Sequence, residues 1–379
     1  MDWLTGSKQG ETKKLIAQLA DPVTRDRAAQ SLIQLGGEAV PQLLDALQTQ
    51  DVSLLPVYQK ILTRIPSVVP ALTNALSTAH PFVRGRVVEI LAIIKDKSTI
   101  PALLDALKGE YFTVRSRSAL ALAEMGDAGV IPHLLPLLKD TEDEVRIAAC
   151  VALGKFRAPS TFDDITNILL DDPKIEVRQS AARSLGETRH PAAIPFLMEA
   201  LRDSFWWYER EQSANDLLAA IEKMGAAVVD PLIEALSDKE GTVRRFAALL
   251  LGRLGDARAI EPLGMTLYDL HDEIARTAAG SLANFGAAAV DVLLESLNHA
   301  ETGIRENAVF ALGRIQDTRV FPALIESLRD SQRSVQAQAI KSLGELRDPR
   351  GITSLQEIAA NRADRELSAL AKQVLESIK

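Results

Sequence analysis

PALLDAL, residues 101–107, and VRIAACVALG, residues 145–154, are the two phrases on which the fold turns. The first returns as PQLLDAL from Pro41, PALTNAL from Pro70, PHLLPLL from Pro132 and PFLMEAL from Pro195. It returns again as DPLIEAL from Asp230, DVLLESL from Asp291 and PALIESL from Pro322, with weaker copies from Asp163, Glu261 and Thr353. Successive starts lie 29 to 35 residues apart, most often 31. A fixed period of this length marks stacked supersecondary units, none of which can bury its apolar face alone. Leucine at the third and seventh places, such as Leu103 and Leu107, lays an apolar stripe on one helical face. Proline is accepted at a helix start because its missing N–H would have no intrahelical partner there. Asp230 followed by Pro231 reads as an N-cap and a first helical residue.

The second phrase predicts a second helix in each unit. It recurs as VRQSAARSLG from Val177 and VRRFAALLLG from Val243. Small residues fall at one register: Ala92, Ala123, Gly154, Gly186, Gly252, Ala283, Gly313 and Gly344. Glycine inside a helix costs up to about 1 kcal/mol against alanine, so its recurrence implies close approach of a neighbouring backbone. Gly36, Gly126, Gly255 and Gly286 stand where a left-handed residue would end the helix. Asp96, Asp127, Asp256, Asp317 and Asp348 follow such ends.

An arginine opens the second helix as Arg25, Arg84, Arg115, Arg146, Arg178, Arg210, Arg244 and Arg305; Ala275 and Gln336 interrupt the row. Six residues before it, Asp140, Asp172 and Asp238 recur. A row for a polyanion would need no such acids, so the expectation is structural: each arginine binds turn carbonyls and an aspartate of its own or an adjacent repeat.

The totals agree with thin helical layers. Of 379 residues 47% are hydrophobic but only 4% aromatic, and the net charge is −8. That balance works against a phosphate-binding surface, so no nucleic-acid partner is expected. The one cysteine, Cys150, cannot make an internal disulfide or a cysteine metal site and reads as an apolar filler. The start of the chain lacks an apolar signal core and no stretch is long enough to span a bilayer. A cytoplasmic protein without membrane insertion is the expectation.

GDARAIEPL from Gly255, with VRRFAALLLGRLGDARAI around it, resembles HEAT-like repeats of the kind named after phycobilisome lyases. The resemblance runs from about Arg25 to Ile378 and implies an all-α, right-handed solenoid of about eleven helix pairs. It implies one uninterrupted domain over 1–379: N-terminal capping helices 1–39, regular repeats 40–352 and C-terminal capping helices 353–379. Fold alone does not name an activity. The five histidines are isolated, with no HExxH, no His-Glu pair of the kind HEAT-repeat hydroxylases use, and no Cys/His cluster. No Walker loop or nucleophile motif is present. The expectation is therefore no metal, no cofactor and, on balance, no catalysis. The leading function is a scaffold binding a protein or peptide along the curved surface; the alternative is a bilin lyase or isomerase subunit. Oligomeric state is not legible.

Two surfaces are candidates for that binding. The turn 203–211, DSFWWYERE, gathers Phe205, Trp206, Trp207 and Tyr208, which could anchor a partner or lid the helix pair. Just after it the 35-residue spacing predicts a second helix longer by about one turn near Leu217–Gly225. Along the second helices, places two, five and nine after the arginine are expected to face solvent on the inner side. There Phe246, Leu249 and Phe310 are apolar where the rest is polar, and exposed apolar clusters mark contact sites.

Overall fold

The computed structural model describes residues 2–203, 214–361 and 363–378. They form helices joined by short turns, with no strand among the described residues. The chain divides into two compact units, Met1–Thr188 and Arg189–Lys379.

In the first unit each repeat phrase becomes a short first helix and a longer second one. Ile100–Ala106 is followed by Phe112–Met125, and Phe162–Asp171 by Ile175–Thr188. Ahead of the first phrase, Asp2–Gln18 and Arg25–Leu35 add a pair of their own. The second unit repeats the plan, for example with Val229–Ala235 and Gly241–Leu254, then Val320–Ser327 and Arg333–Leu346. Small aliphatic side chains fill the layers between pairs. Leu103, Leu122, Ala149 and Leu153 have no exposed surface, and neither has Cys150, whose thiol burial pushes up to about 12.

The helix ends show how the punctuation works. Gly36, Gly126, Gly255 and Gly286 all take positive φ, between 58° and 67°, where only glycine avoids strain from a Cβ. The aspartates that follow do not simply fill a loop. Asp127 accepts from Gly129 N at 2.9 Å and Asp256 from Arg258 N at 3.1 Å, capping a 3₁₀ turn that runs straight into the next first helix. That continuity corrects the reading of Asp230. Helix Val229–Ala235 begins one residue earlier, directly after the 3₁₀ turn Gly225–Val228, so Asp230 lies within its first turn and caps nothing.

The small residues of the second helices sit against the next second helix. An ideal Cβ on Gly154 would lie 2.7 Å from Ser184 Cβ, and one on Gly252 2.5 Å from Ser281 Cβ. On Gly313 it would lie 2.4 Å from Ser342 Cβ. The serines also bond across: Ser184 Oγ donates to Cys150 O at 2.7 Å, and Ser342 Oγ to Val309 O at 2.9 Å. Near the long spacing, helix Ala214–Glu222 ends three residues before Gly225. Its start, and with it the expected extra turn, lies outside the described residues.

Candidate functional site

The arginine row forms a clamp between neighbouring pairs. Arg115 sends Nη1 to Gly109 O and Glu110 O, at 3.0 and 2.9 Å. Its Nε and Nη2 grip both oxygens of Asp140, from the following repeat, at 2.8 Å each. Arg146 holds Asp172, Arg244 holds Asp269 and Arg305 holds Asp330 by the same two nitrogens. Such bidentate, charge-assisted pairs fix geometry as well as energy. Arg25 bonds Leu19 O and Ala20 O, and Arg178 bonds Asp172 O. Gln336, one of the two breaks in the row, still reaches Asp330 O at 2.7 Å. Arg210 lies outside the described residues.

Three of these acids, Asp140, Asp269 and Asp330, are held in their ionised form. The Arg305 guanidinium keeps Asp330 below the usual carboxylate range, and the Arg319 side chain takes Asp317 to about 2. At Asp140 burial pulls the other way, but bonds from Arg115 and the Glu142 N–H outweigh it. A carboxylate depressed in the folded state stabilises the fold above its unfolded pKa, about 4, and loses that contribution as pH falls through the folded value. The melting temperature is thus expected to hold from pH 7 to about 4.5 and to fall steeply from about pH 4 to 2. Calorimetry across that range checks it; a chain as stable at pH 2.5 as at pH 6 would contradict the clamp.

The second-helix stripe is displaced from its expected place. Two residues after the arginine register, Arg86, Ser180, Phe246 and Asn307 are buried, Phe246 to 5% exposure, while Arg117 is half-buried and Arg27 exposed. Five and nine residues after it the surface opens: Leu120, Glu124, Lys155, Arg183, Arg253 and Arg314 are exposed. Leu249 and Phe310 are half-buried. The correction to Phe246 has a physical reason. Each second helix is packed on both sides by its neighbours, and place two faces the preceding repeat, where Ser180 Oγ donates to Ile147 O at 3.3 Å and Arg86 Nη1 to Thr49 O at 3.2 Å. Arg245 covers the Phe246 ring at 4.8 Å.

Along the open strip, charges pair sideways. Glu124 takes Lys95 at 3.1 Å and Lys155 more closely; Arg117 meets Glu89 at 3.3 Å. In the second unit Arg314 meets Glu345 at 3.2 Å. Phe310 stands apart from this mixed surface. The Arg276 guanidinium lies 3.4 Å from its ring centre and that of Arg314 lies 4.3 Å from it. Arg276 is held by amide oxygens, Asn307 Oδ1 at 3.3 Å and Gln338 Oε1 at 3.2 Å. Burial pulls its pKa down, with nearby Glu306 opposing. The aromatic turn, Phe205, Trp206, Trp207 and Tyr208, lies outside the described residues.

Three features escaped the sequence reading. A second set of clamps joins Arg258 to Asp256 and Asp230, and Arg319 to Asp317 and Asp291. Its signal, Asp-x-Arg with an acid 26 residues upstream, was present in the sequence. An apolar group at the end of helix Ile260–Thr266 and in the turn after it leaves Met265 and Leu270 71% and 97% exposed, with Tyr268 edge-on to His299. The third is the break at Gly109. Among the described residues Glu142, Asp143 and Glu144 lie close enough to share a cation, but acids at an exposed helix start serve the helix itself.

The stacked pairs, their interlocking arginines and the absence of strands among the described residues define an α-solenoid repeat protein. The chain belongs to the HEAT-repeat family: the HEAT-repeat model matches residues 60–123, 131–217, 213–284 and 290–376. The PBS lyase HEAT-like repeat matches 24–49 and 114–140. Among solved structures it is similar to the karyopherin Kap121p bound to the extreme C-terminus of the protein phosphatase Cdc14p. That likeness has a TM-score of 0.60 and 14% identity, over 96% of this chain and 49% of that one. Kap95p, solved with RanGDP, gives a TM-score of 0.57 and 13% identity over 97% and 60%. The chain thus spans about half the length of the Kap121p structures it matches. The CpcE–CpcF complex of phycocyanin lyase from Nostoc sp. PCC7120 gives 18% identity over 59% and 91%, but its TM-score of 0.36 carries no argument. No curated protein sequence matches the chain. No helix among the described residues is long and apolar enough to cross a membrane.

Proposed function

We propose that the chain is a non-catalytic scaffold that holds a protein or peptide partner along the open strip of its second helices. The observation that carries this reading is the Phe310 cluster. An aromatic ring with two guanidinium groups on it, one of them held by neutral amides, is the composition of an interface anchor: rigid, partly desolvated and ready for a carboxylate or carbonyl. The likeness to Kap121p and Kap95p, each solved with a protein bound, supports a long helical surface as a protein-binding one. The bilin lyase reading rests on the repeat resemblance, and no side chain of the strip favours it.

A photo-crosslinking amino acid at position 310 tests the proposal. One dominant protein adduct is expected, and pull-down of that protein by F310A and R276Q chains without the crosslinker is expected to weaken by about tenfold or more. Recovery unchanged in both variants would sink the reading. A new visible absorption band on adding a linear tetrapyrrole would move the chain to the lyase alternative.

A further inference from the structure

The clamps couple arginine and acid across repeats at a separation of 25 or 26 residues: Arg115 with Asp140, Arg146 with Asp172, Arg244 with Asp269, Arg305 with Asp330. Where the arginine is replaced by Ala275, the acid is replaced as well, by His299, six residues before Arg305. Arg84 breaks this coupling in one direction. The matching place, 25 residues on and six before Arg115, is Gly109. Arg84 is kept and its acid is gone.

The consequence is visible in its contacts. Arg84 donates through Nε to Ala79 O at 2.7 Å, the one hydrogen bond of its side chain among the described residues, and makes no ion pair there. The space that an aspartate would occupy opens into a cleft of about 900 Å³ between helices Val69–Thr78 and Ile100–Ala106. Arg84, Asp105, Gly109, Glu110 and Tyr111 line it.

We propose that this cleft receives a carboxylate side chain of a protein partner, gripped by the two terminal nitrogens of Arg84, since its Nε is bonded to Ala79 O. The proposal rests on the scaffold reading and names a second contact of that scaffold, away from Phe310. Four internal copies of the site show which ligand the frame takes: a carboxylate gripped by Nε and a terminal nitrogen. Asp105 and Glu110 set two negative charges beside the single positive one. A phosphate dianion is therefore disfavoured, and a segment with one Asp or Glu next to a Lys or Arg fits. Tyr111, 41% exposed, offers a partly apolar wall for the flanking residue.

Two substitutions test it. Gly109→Asp rebuilds the missing clamp within the chain. Its carboxylate would also accept from Tyr111 N–H, as Asp140 accepts from Glu142 N–H at 3.0 Å. A Cβ at Gly109 would lie 3.3 Å from Ala106 O, a contact relieved by a small shift. Arg84→Gln removes the charge. A random dodecapeptide display library is selected on the wild-type chain and on both variants. Peptides carrying an acid beside a base are expected to be enriched about tenfold or more on the wild type, and on neither variant. G109D is also expected to melt about 2–4 °C higher than the wild type, and R84Q no higher. No acidic enrichment on the wild type overturns the proposal, as does enrichment that survives R84Q. Either result leaves the scaffold reading to the crosslink at position 310. An unchanged melting temperature in G109D would show that Arg84 cannot be reached by an acid and would overturn it as well.

Discussion

Valine in place of Gly252 is expected to lower the melting temperature by roughly 2–12 °C. A Cβ there would stand 2.5 Å from Ser281 Cβ and 2.8 Å from Ser281 Cα. The second of these atoms belongs to the backbone, so no rotamer change relieves it and helices Gly241–Leu254 and Asp272–Ala283 must separate. Overpacking of this kind costs about 1–3 kcal/mol, offset by only the few tenths of a kcal/mol that valine gains over glycine in helix propensity. For a cooperative unit of this size each kcal/mol moves the transition by about 2–4 °C. A companion variant separates packing from propensity. Ser281→Gly placed behind Gly252→Ala removes the Cβ and Oγ that the new methyl meets, so it should recover part of the loss. Thermal unfolding that ranks G252V with a surface Gly→Val would show that the helices are not in contact.

The second large effect is at the clamp. Asp172→Ala leaves the Arg146 guanidinium, whose side chain is 11% exposed, facing a place where both carboxylate oxygens had been. Asp172 itself is 3% exposed. Removing one partner of a nearly buried pair costs about 3–5 kcal/mol, because the other charge stays desolvated and unmatched. Arg146→Gln is expected to cost about as much, because it leaves the still more deeply buried Asp172 unmatched, although glutamine at this register keeps the bond to the turn carbonyl, as Gln336 does. Arg319→Ala is the control. Its clamp to Asp291 is largely exposed, at 41% and 81%, and should contribute far less than the nearly buried pair. Equal losses in D172A and R319A would mean that burial does not set the value of these clamps.

Much of the fold was legible because the repeat writes it many times over. One copy of Leu103 and Leu107 proves little, but eleven copies at a near-constant spacing leave stacked helix pairs as the reading. The interhelical glycines were legible for the same reason: a residue that weakens a helix would not return without a neighbour to make room for. What failed was phase. Place two after the arginine was assigned to solvent, whereas Phe246 and Asn307 are buried there. A single helix has one apolar face, but a helix inside a stack is covered on three sides, and spacing within one repeat carries no sign of the second neighbour. Arg84 was missed for a different reason. It looks like its fellows, and its difference lies 25 residues away in Gly109, so only a map of which acid meets which arginine shows it. Asp230 was misread because the 3₁₀ turn moves the true cap upstream.

The clamp has one more consequence. Each of the four clamped arginines reaches an acid of the following repeat, 25 or 26 residues downstream, by the same two nitrogens. Removing residues 116–146, one whole period, would bring Arg115 into the seat of Arg146 and set it before Asp172. The joint would be chemically the same as the one lost. A lock that every key opens keeps neighbours together without counting them, so the number of repeats is left free to drift while the join between any two stays fixed.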